Sequence, residues 1–146
     1  MSAGQELRLR IAVLDPPAGV TFKVQRGNAD LEPPSSVSSS AIVFDLSVRV
    51  DGVTRGGHPR FLGEYTQGPP DGRFIYVNSG TLAGQADSCF TRRAKVPLAG
   101  IPEALVERAV NTPGALLEAR FQGRGRDGGP ACASVSLVGG GWHLVA

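Results

Sequence analysis

Residues 41–50 read AIVFDLSVRV, and this stretch decides the class of fold. Every second residue in it is apolar, and most of the residues between them are polar. The apolar positions are Ile42, Phe44, Leu46, Val48 and Val50. Strict alternation is typical of a β-strand that buries one face and exposes the other, whereas a helix repeats its apolar residues at three- and four-residue spacing. The stretch therefore predicts a half-buried strand.

The same signal, or a short apolar run bounded by turn residues, recurs along the chain. Leu7, Leu9, Ile11 and Val13 alternate with more polar residues, and the pattern ends at Asp15-Pro16-Pro17. The further strands predicted in this way lie at 20–24, 61–65, 73–77, 90–98, 115–122, 131–137 and 142–145. We expect 115–122 and 131–137 to form a hairpin across the glycine-rich turn 123–129 and 142–145 to close the sheet.

One helix is predicted, near 101–111. Pro102 suits the first helical position, and Glu103 favours the positive end of the helix dipole. Apolar residues recur at 101, 105 and 109, the spacing of one helix face. Asn111 and Pro113 are helix stop signals.

The composition supports a single turn-rich β domain spanning residues 1–146. The chain holds 20 Gly and 11 Pro, and both residue types weaken helix interiors. A length of 146 residues fits one core. We expect a mainly β fold, an antiparallel β-sandwich or small barrel with the one short helix. The segment 33–40, PPSSVSSS, has no periodicity and is predicted to be a flexible Ser/Pro-rich loop.

Charge and hydropathy exclude several classes of function. The net charge is +2 and aromatic residues make up 6%, which supplies neither an electrostatic footprint nor a stacking platform for nucleic acid. The first 17 residues lack the apolar run of a secretory signal. The charge-free run 128–146 contains five glycines, a proline and a histidine, so a membrane span is not expected. Two cysteines are too few for a disulfide scaffold, and we expect a cytoplasmic protein.

Two familiar kinds of motif carry no function here. Residues 123–128, GRGRDG, match the GxGxxG pattern, but a dinucleotide site needs a helix after the glycines, and here Gly129-Pro130 and another strand follow. The two histidines and two cysteines show no metal-ligand spacing. We therefore predict neither a cofactor nor a metal.

Polar residues cluster in the stretch 67–95, around a loop containing Gly80 and Gly84. Arg92 and Arg93 are adjacent, so in a strand one of them should face inward and need an anionic partner. We expect a non-enzymatic module that binds a small polar or anionic ligand. The predicted ligand-binding residues are Tyr76, Asn78, Ser79, Gln85, Ser88, Arg92, Arg93 and Lys95.

Two alternatives stay open. The first is a hydrolase or transferase that uses the Cys89 thiol, which requires His58 or His143 as a base within hydrogen-bond reach. Cys132 lies between two alanines in a predicted strand and is expected to serve packing. The second alternative is a protein-interaction or homodimerisation domain, which would use an exposed strand edge or the Ser-rich loop.

Three segments resemble an uncharacterised bacterial family, domain of unknown function 5990. They are LRIAVLDPPAGVTFKVQRG at 8–27, FLGEYTQGPPDGRFIYVNSGTLAGQADSCFTRRAKVPLAGI at 61–101, and GRGRDGGPACASVSLVGGGWHLV at 123–145. The resemblance covers most of the chain and departs chiefly in the Ser-rich loop. It implies a bacterial, stand-alone protein of the cytosolic type and assigns no reaction, ligand or residue role.

Overall fold

The alternating residues 41–50 lie in a 13-residue strand whose apolar side chains face the interior. The computed structural model describes residues 4–16, 20–28, 30–81, 92–127 and 133–146. Within these ranges, positions 20, 79–81, 92–93, 123–127 and 133–139 are described by their backbone alone. The elements are β1 (Gln5–Leu14), β2 (Val20–Arg26), β3 (Asp30–Glu32), β4 (Ser36–Val37), β5 (Ala41–Val53), β6 (Pro59–Leu62), a 3₁₀ turn (Pro70–Gly72), β7 (Phe74–Thr81), β8 (Arg92–Pro97), α1 (Glu103–Asn111), β9 (Leu116–Asp127) and β10 (Ala133–Val145).

The strands form two sheets. Sheet A has the order β10-β9-β1-β5-β4, and β6 also pairs with β5. Sheet B has the order β3-β2-β7-β8. The pairs are antiparallel except for β1 and β9, which run parallel. The fold is mainly β and sandwich-like, without a closed barrel in the described part, which confirms the predicted class and selects the sandwich.

The core lies between the two sheets, and α1 packs against β1, β9 and β10 of sheet A. Val106 and Ala109 are the buried residues of α1, at the helical spacing expected for one face. The helix predicted near 101–111 is thereby confirmed. Sheet residues with at most 2% exposure include Leu7, Leu9, Ile11, Val13, Phe44, Val48 and Leu117 from sheet A, and Phe22, Val24, Ile75, Val77 and Val96 from sheet B.

The C-terminal hairpin is confirmed, but its details differ from the prediction. Residues 142–145 are not a separate closing strand, because they are the end of β10. A register shift between Gly139 and Trp142 interrupts the pairing with β9, and Gly140 and Gly141 have φ of 109° and 99° there. Such a bulge breaks the alternation in the sequence, so one strand is read as two. Gly123 and Gly125 lie in β9, and the connection at 128–132 lies outside the described residues.

Two other predicted segments differ from the structure. The strand expected at 61–65 spans Pro59–Leu62 instead. A turn follows it, in which Gly63 has a φ of 135° and the Thr66 N–H donates to the Gly63 carbonyl. Within 33–40, Ser36 and Val37 form the short strand β4 against β5. The flexibility of that loop stays a prediction.

Candidate functional site

The outward side chains of sheet B contain several of the predicted ligand-binding residues. Along β7, Ile75 and Val77 point into the core, so Tyr76 and Asn78 point to the outer face. Asn78 is the register partner of Lys23 on β2 and of Arg93 on β8. We call these three cross-strand positions the Asn78 row. One pleat further along β7, Tyr76 is paired with Lys95.

Asn78 is unusual on this face because its polar side chain is buried. It is only 4% exposed, and its Oδ1 accepts no hydrogen bond in the structure described here. Buried polar atoms are nearly always paired, because leaving one unpaired costs about 1–3 kcal/mol. Asn78 is therefore a buried polar side chain whose carbonyl oxygen lacks a hydrogen-bond donor.

The two lysines on this face have no carboxylate partner among the residues that the structure describes. Lys23 and Lys95 are exposed, and no carboxylate in the described ranges lies within ion-pair distance of either. The Lys95 ammonium instead lies 4.6 Å from the centroid of the Phe74 ring. That ring packs edge-on against Tyr76 at 4.7 Å between centroids. The outer face of sheet B therefore joins positive charge, aromatic surface and an unsatisfied acceptor.

The structure brings together only part of the predicted site. Tyr76, Asn78 and Lys95 share one face, and Arg93 is the backbone partner of Asn78. Ser79 and Arg92 pair with each other. The side chains of Ser79, Arg92 and Arg93 lie outside the described part, as do Gln85, Ser88 and Cys89 entirely, so the predicted inward arginine stays a prediction.

Lys23 belongs to this face but was not predicted from the sequence. The residue lies 55 positions before Asn78 in the chain, and only the pairing of β2 with β7 makes it a neighbour. One signal could have found it. Lys23 and Lys95 are the only lysines of the chain, and all its other permanently cationic side chains are arginines. Both lysines lie on this face.

On the outer face of sheet A, one group of charged side chains is paired in a ladder across four strands. Arg8 and Arg49 on the same face have no carboxylate within ion-pair distance among the described residues. Arg10 Nε lies 2.8 Å from Asp45 Oδ1, and Arg10 Nη1 lies 3.8 Å from Glu118 Oε2. Glu118 Oε1 also lies 2.5 Å from Arg120 Nε and 3.4 Å from His143 Nε2. These contacts satisfy a carboxylate that is only 6% exposed. We call Asp45, Arg10, Glu118, Arg120 and His143 the sheet A ladder.

The two candidate bases lie in different surroundings. His143 faces Glu118 in the sheet A ladder. His58 ends a turn whose Thr54 hydroxyl donates to the Asp71 carboxylate, as does the Gly56 N–H at 3.0 Å. The Thr54 hydrogen bond is the main reason that the pKa of Asp71 is lowered. Because Cys89 lies outside the described residues, the enzyme alternative stays untested.

A second paired cluster ties sheet B to the turn after β6. Arg26 contacts Glu64 and, at 2.8 Å, Glu32 Oε1, while the Tyr65 hydroxyl donates to Glu32 Oε2 at 2.6 Å. The Tyr65 hydrogen bond and then Arg26 lower the pKa of Glu32. Burial and the nearby carboxylate raise the pKa of Tyr65. Sheet B therefore does pair charge at its edge, which sets the unpaired lysines apart.

Two cavities of about 210 Å³ each lie away from the Asn78 row. One separates α1 from the end of β5, and the other lies beside Trp142. Among the described residues, no group of three His, Cys, Asp or Glu is placed to hold a metal. In the same residues, no helix combines the length and apolar character that a bilayer crossing requires.

These features define a two-sheet β protein with an ion-pair ladder on the outer face of one sheet and two lysines without a described carboxylate partner on the outer face of the other. A family model described as a family of unknown function (DUF5990) matches residues 7–145, so the chain belongs to that family. This finding confirms the resemblance noted from the sequence. Neither the curated proteins nor the solved structures contain a match to the chain.

Proposed function

We propose that this protein binds a small anionic ligand on the outer face of sheet B, at the Asn78 row. The observation that carries the proposal is the buried Asn78 Oδ1 without a hydrogen-bond donor, with Lys23 as its cross-strand neighbour. An anion would pair with Lys23, and a donor on the same ligand would satisfy Asn78 Oδ1 after the ligand displaces the side chains that bury this atom. The family resemblance implies a bacterial protein of the cytosolic type, and phosphorylated metabolites are a class of anion available in that compartment.

The donor and acceptor pattern narrows the class of ligand. Lysine ammonium groups attract any anion, but the Asn78 carbonyl favours one that carries an O–H or N–H. Close to neutral pH, inorganic phosphate keeps at least one P–O–H group, and a sugar phosphate has hydroxyl groups. Sulfate has no hydrogen-bond donor. We therefore assign the ligand to the class of phosphate or hydroxylated phosphate esters.

Phosphate and sulfate, compared at equal ionic strength and pH 6.5, test the proposal directly. We expect inorganic phosphate to raise the melting temperature and to bind roughly tenfold more tightly than sulfate in calorimetric titrations, the ratio expected for one hydrogen bond to a charged group. Glucose 6-phosphate serves as the hydroxylated probe.

Matched variants separate specific binding from general attraction to a cation. Lys23→Gln and Lys95→Gln should each weaken phosphate binding, whereas Arg8→Gln, which removes an exposed cation from β1 in sheet A, should not. Asn78→Leu should abolish the preference for phosphate over sulfate. The proposal fails if none of these anions binds, or if Arg8→Gln weakens binding as much as the lysine variants.

A further inference from the structure

A cavity of about 210 Å³ lies where the bulge of β10 meets the segment between β8 and α1. The residues that line it carry no charge. They are Pro97, Gly100, Ile101, Pro102, Phe121, Gly141 and Trp142. This cavity shares no residue with the Asn78 row, so it is independent of the proposed function.

The side chains that line the cavity are aromatic or aliphatic. Two polar groups of the lining are hydrogen-bonded to each other. The Trp142 indole N–H donates to the Pro97 carbonyl at 2.9 Å. The cavity is partly open to solvent and exposes mainly carbon atoms, and covering apolar surface with an apolar molecule is favourable because that surface is removed from water. The lining therefore favours an apolar guest over water.

The walls are also held apart, so the cavity does not close by relaxation. The Ile101 N–H donates to the Leu98 carbonyl at 3.0 Å, which fixes the turn on one side. On the other side, the Phe121 ring packs so closely on Gly140 that a Cβ there would lie 2.5 Å from Cε1. A Cβ on Gly100, in contrast, would have no atom within 4 Å.

We propose that this cavity is a binding site for a neutral, single-ring aromatic molecule. A volume of about 210 Å³ is below the usual range for drug-sized ligands and accommodates one ring with small substituents. The indole of Trp142 and the phenyl ring of Phe121 offer faces and edges against which such a ring can pack. The absence of charge in the lining disfavours anions and amines.

Trp142 makes the test direct, because it is the only tryptophan of the chain. We would titrate the full-length protein with iodobenzene, a one-ring heavy-atom quencher, and follow tryptophan emission. Occupation of the cavity predicts quenching that saturates and that toluene, a non-quenching ring, reverses by competition. Quenching that rises linearly and that toluene leaves unchanged would overturn the proposal, since it would indicate random collisions.

Substitutions at Gly100 test whether the quencher binds in this cavity. Gly100→Leu adds bulk at an open position of the lining and should weaken saturable quenching roughly tenfold or more, the order of effect that a methylene-scale change in an apolar pocket produces. Gly100→Ala should give a smaller reduction, and it keeps the test decisive if the leucine variant folds poorly. Ala104→Leu on the exposed side of α1 is the control and should leave the quenching curve unchanged. Saturable quenching that survives both Gly100 substitutions would also overturn the proposal, because the ring would then bind elsewhere.

Discussion

The outer faces of the two sheets use charge in different ways. Sheet A carries Arg10, Glu118 and His143, and the protein itself supplies partners for them. Sheet B carries Lys23 and Lys95 with no carboxylate partner in the described part of the chain, next to an Asn78 oxygen that lacks a donor. The ion pairs of the first face contribute to stability, whereas the unpaired lysines of the second face are the basis of the proposed ligand binding. Charge alone does not mark a functional face, so the proposal rests on these lysines together with the buried Asn78 oxygen.

The largest effect is expected from Glu118, the centre of the sheet A ladder. Glu118→Ala removes the carboxylate that Arg10, Arg120 and His143 share, and we expect it to lower the free energy of unfolding by about 2 kcal/mol, since a buried charged partner is lost. Urea unfolding at pH 7 measures the change. Asp45→Asn is the control and should cost less than about 1 kcal/mol, because that carboxylate is 45% exposed. Equal losses in both variants would contradict the central role of Glu118.

The opposite sign is expected at Asn78. Asn78→Leu keeps the side-chain volume close to its original value and removes an oxygen that has no donor, so we expect the ligand-free protein to gain about 1 kcal/mol. The same urea experiment measures it. A loss of 2 kcal/mol or more would show that the amide holds the sheet together, and the contrast between the two faces would then be wrong.

The paired cluster at the edge of sheet B predicts a pH dependence. The pKa of Glu32 is lowered mainly by the Tyr65 hydroxyl, so its contribution to stability is present above the ordinary glutamate pKa and is lost as the pH falls through the lowered value. Tyr65→Phe should therefore cost about 1 kcal/mol at pH 7 and much less once Glu32 is protonated in both states. Urea unfolding at pH 7 and at acidic pH measures the two costs. A cost that does not change with pH would assign the effect to packing instead.

The smallest stability effect is expected from Lys95. Its ammonium contacts the Phe74 ring at the surface, and an exposed cation–π contact contributes about 0.5–1 kcal/mol. Lys95→Gln should thus change the free energy of unfolding by no more than this, although it weakens phosphate binding. If the variant lost stability on the scale of Glu118→Ala, Lys95 would be a structural residue and sheet B would resemble sheet A.

Local pattern predicted the longer strands and the helix, because alternation and capping are properties of consecutive residues, but it did not predict the short strands β3 and β4. The pattern did not predict β10 as one strand, because the bulge at Gly140 and Gly141 interrupts the alternation of apolar residues. The candidate site was predicted in part. Tyr76, Asn78 and Lys95 lie within a short stretch, but Lys23 becomes their neighbour only through the pairing of β2 with β7. The ladder around Glu118 was not predicted, since it joins four strands that are distant in sequence.

A titration with phosphate followed by amide chemical shifts tests the central claim most directly, because it reads both outer faces in one experiment. We expect saturable shifts at Lys23, Tyr76, Asn78, Arg93 and Lys95, with the amides of Arg10, Glu118 and His143 unchanged. Shifts confined to the sheet A ladder, or spread evenly over both faces, would contradict the assignment of binding to sheet B.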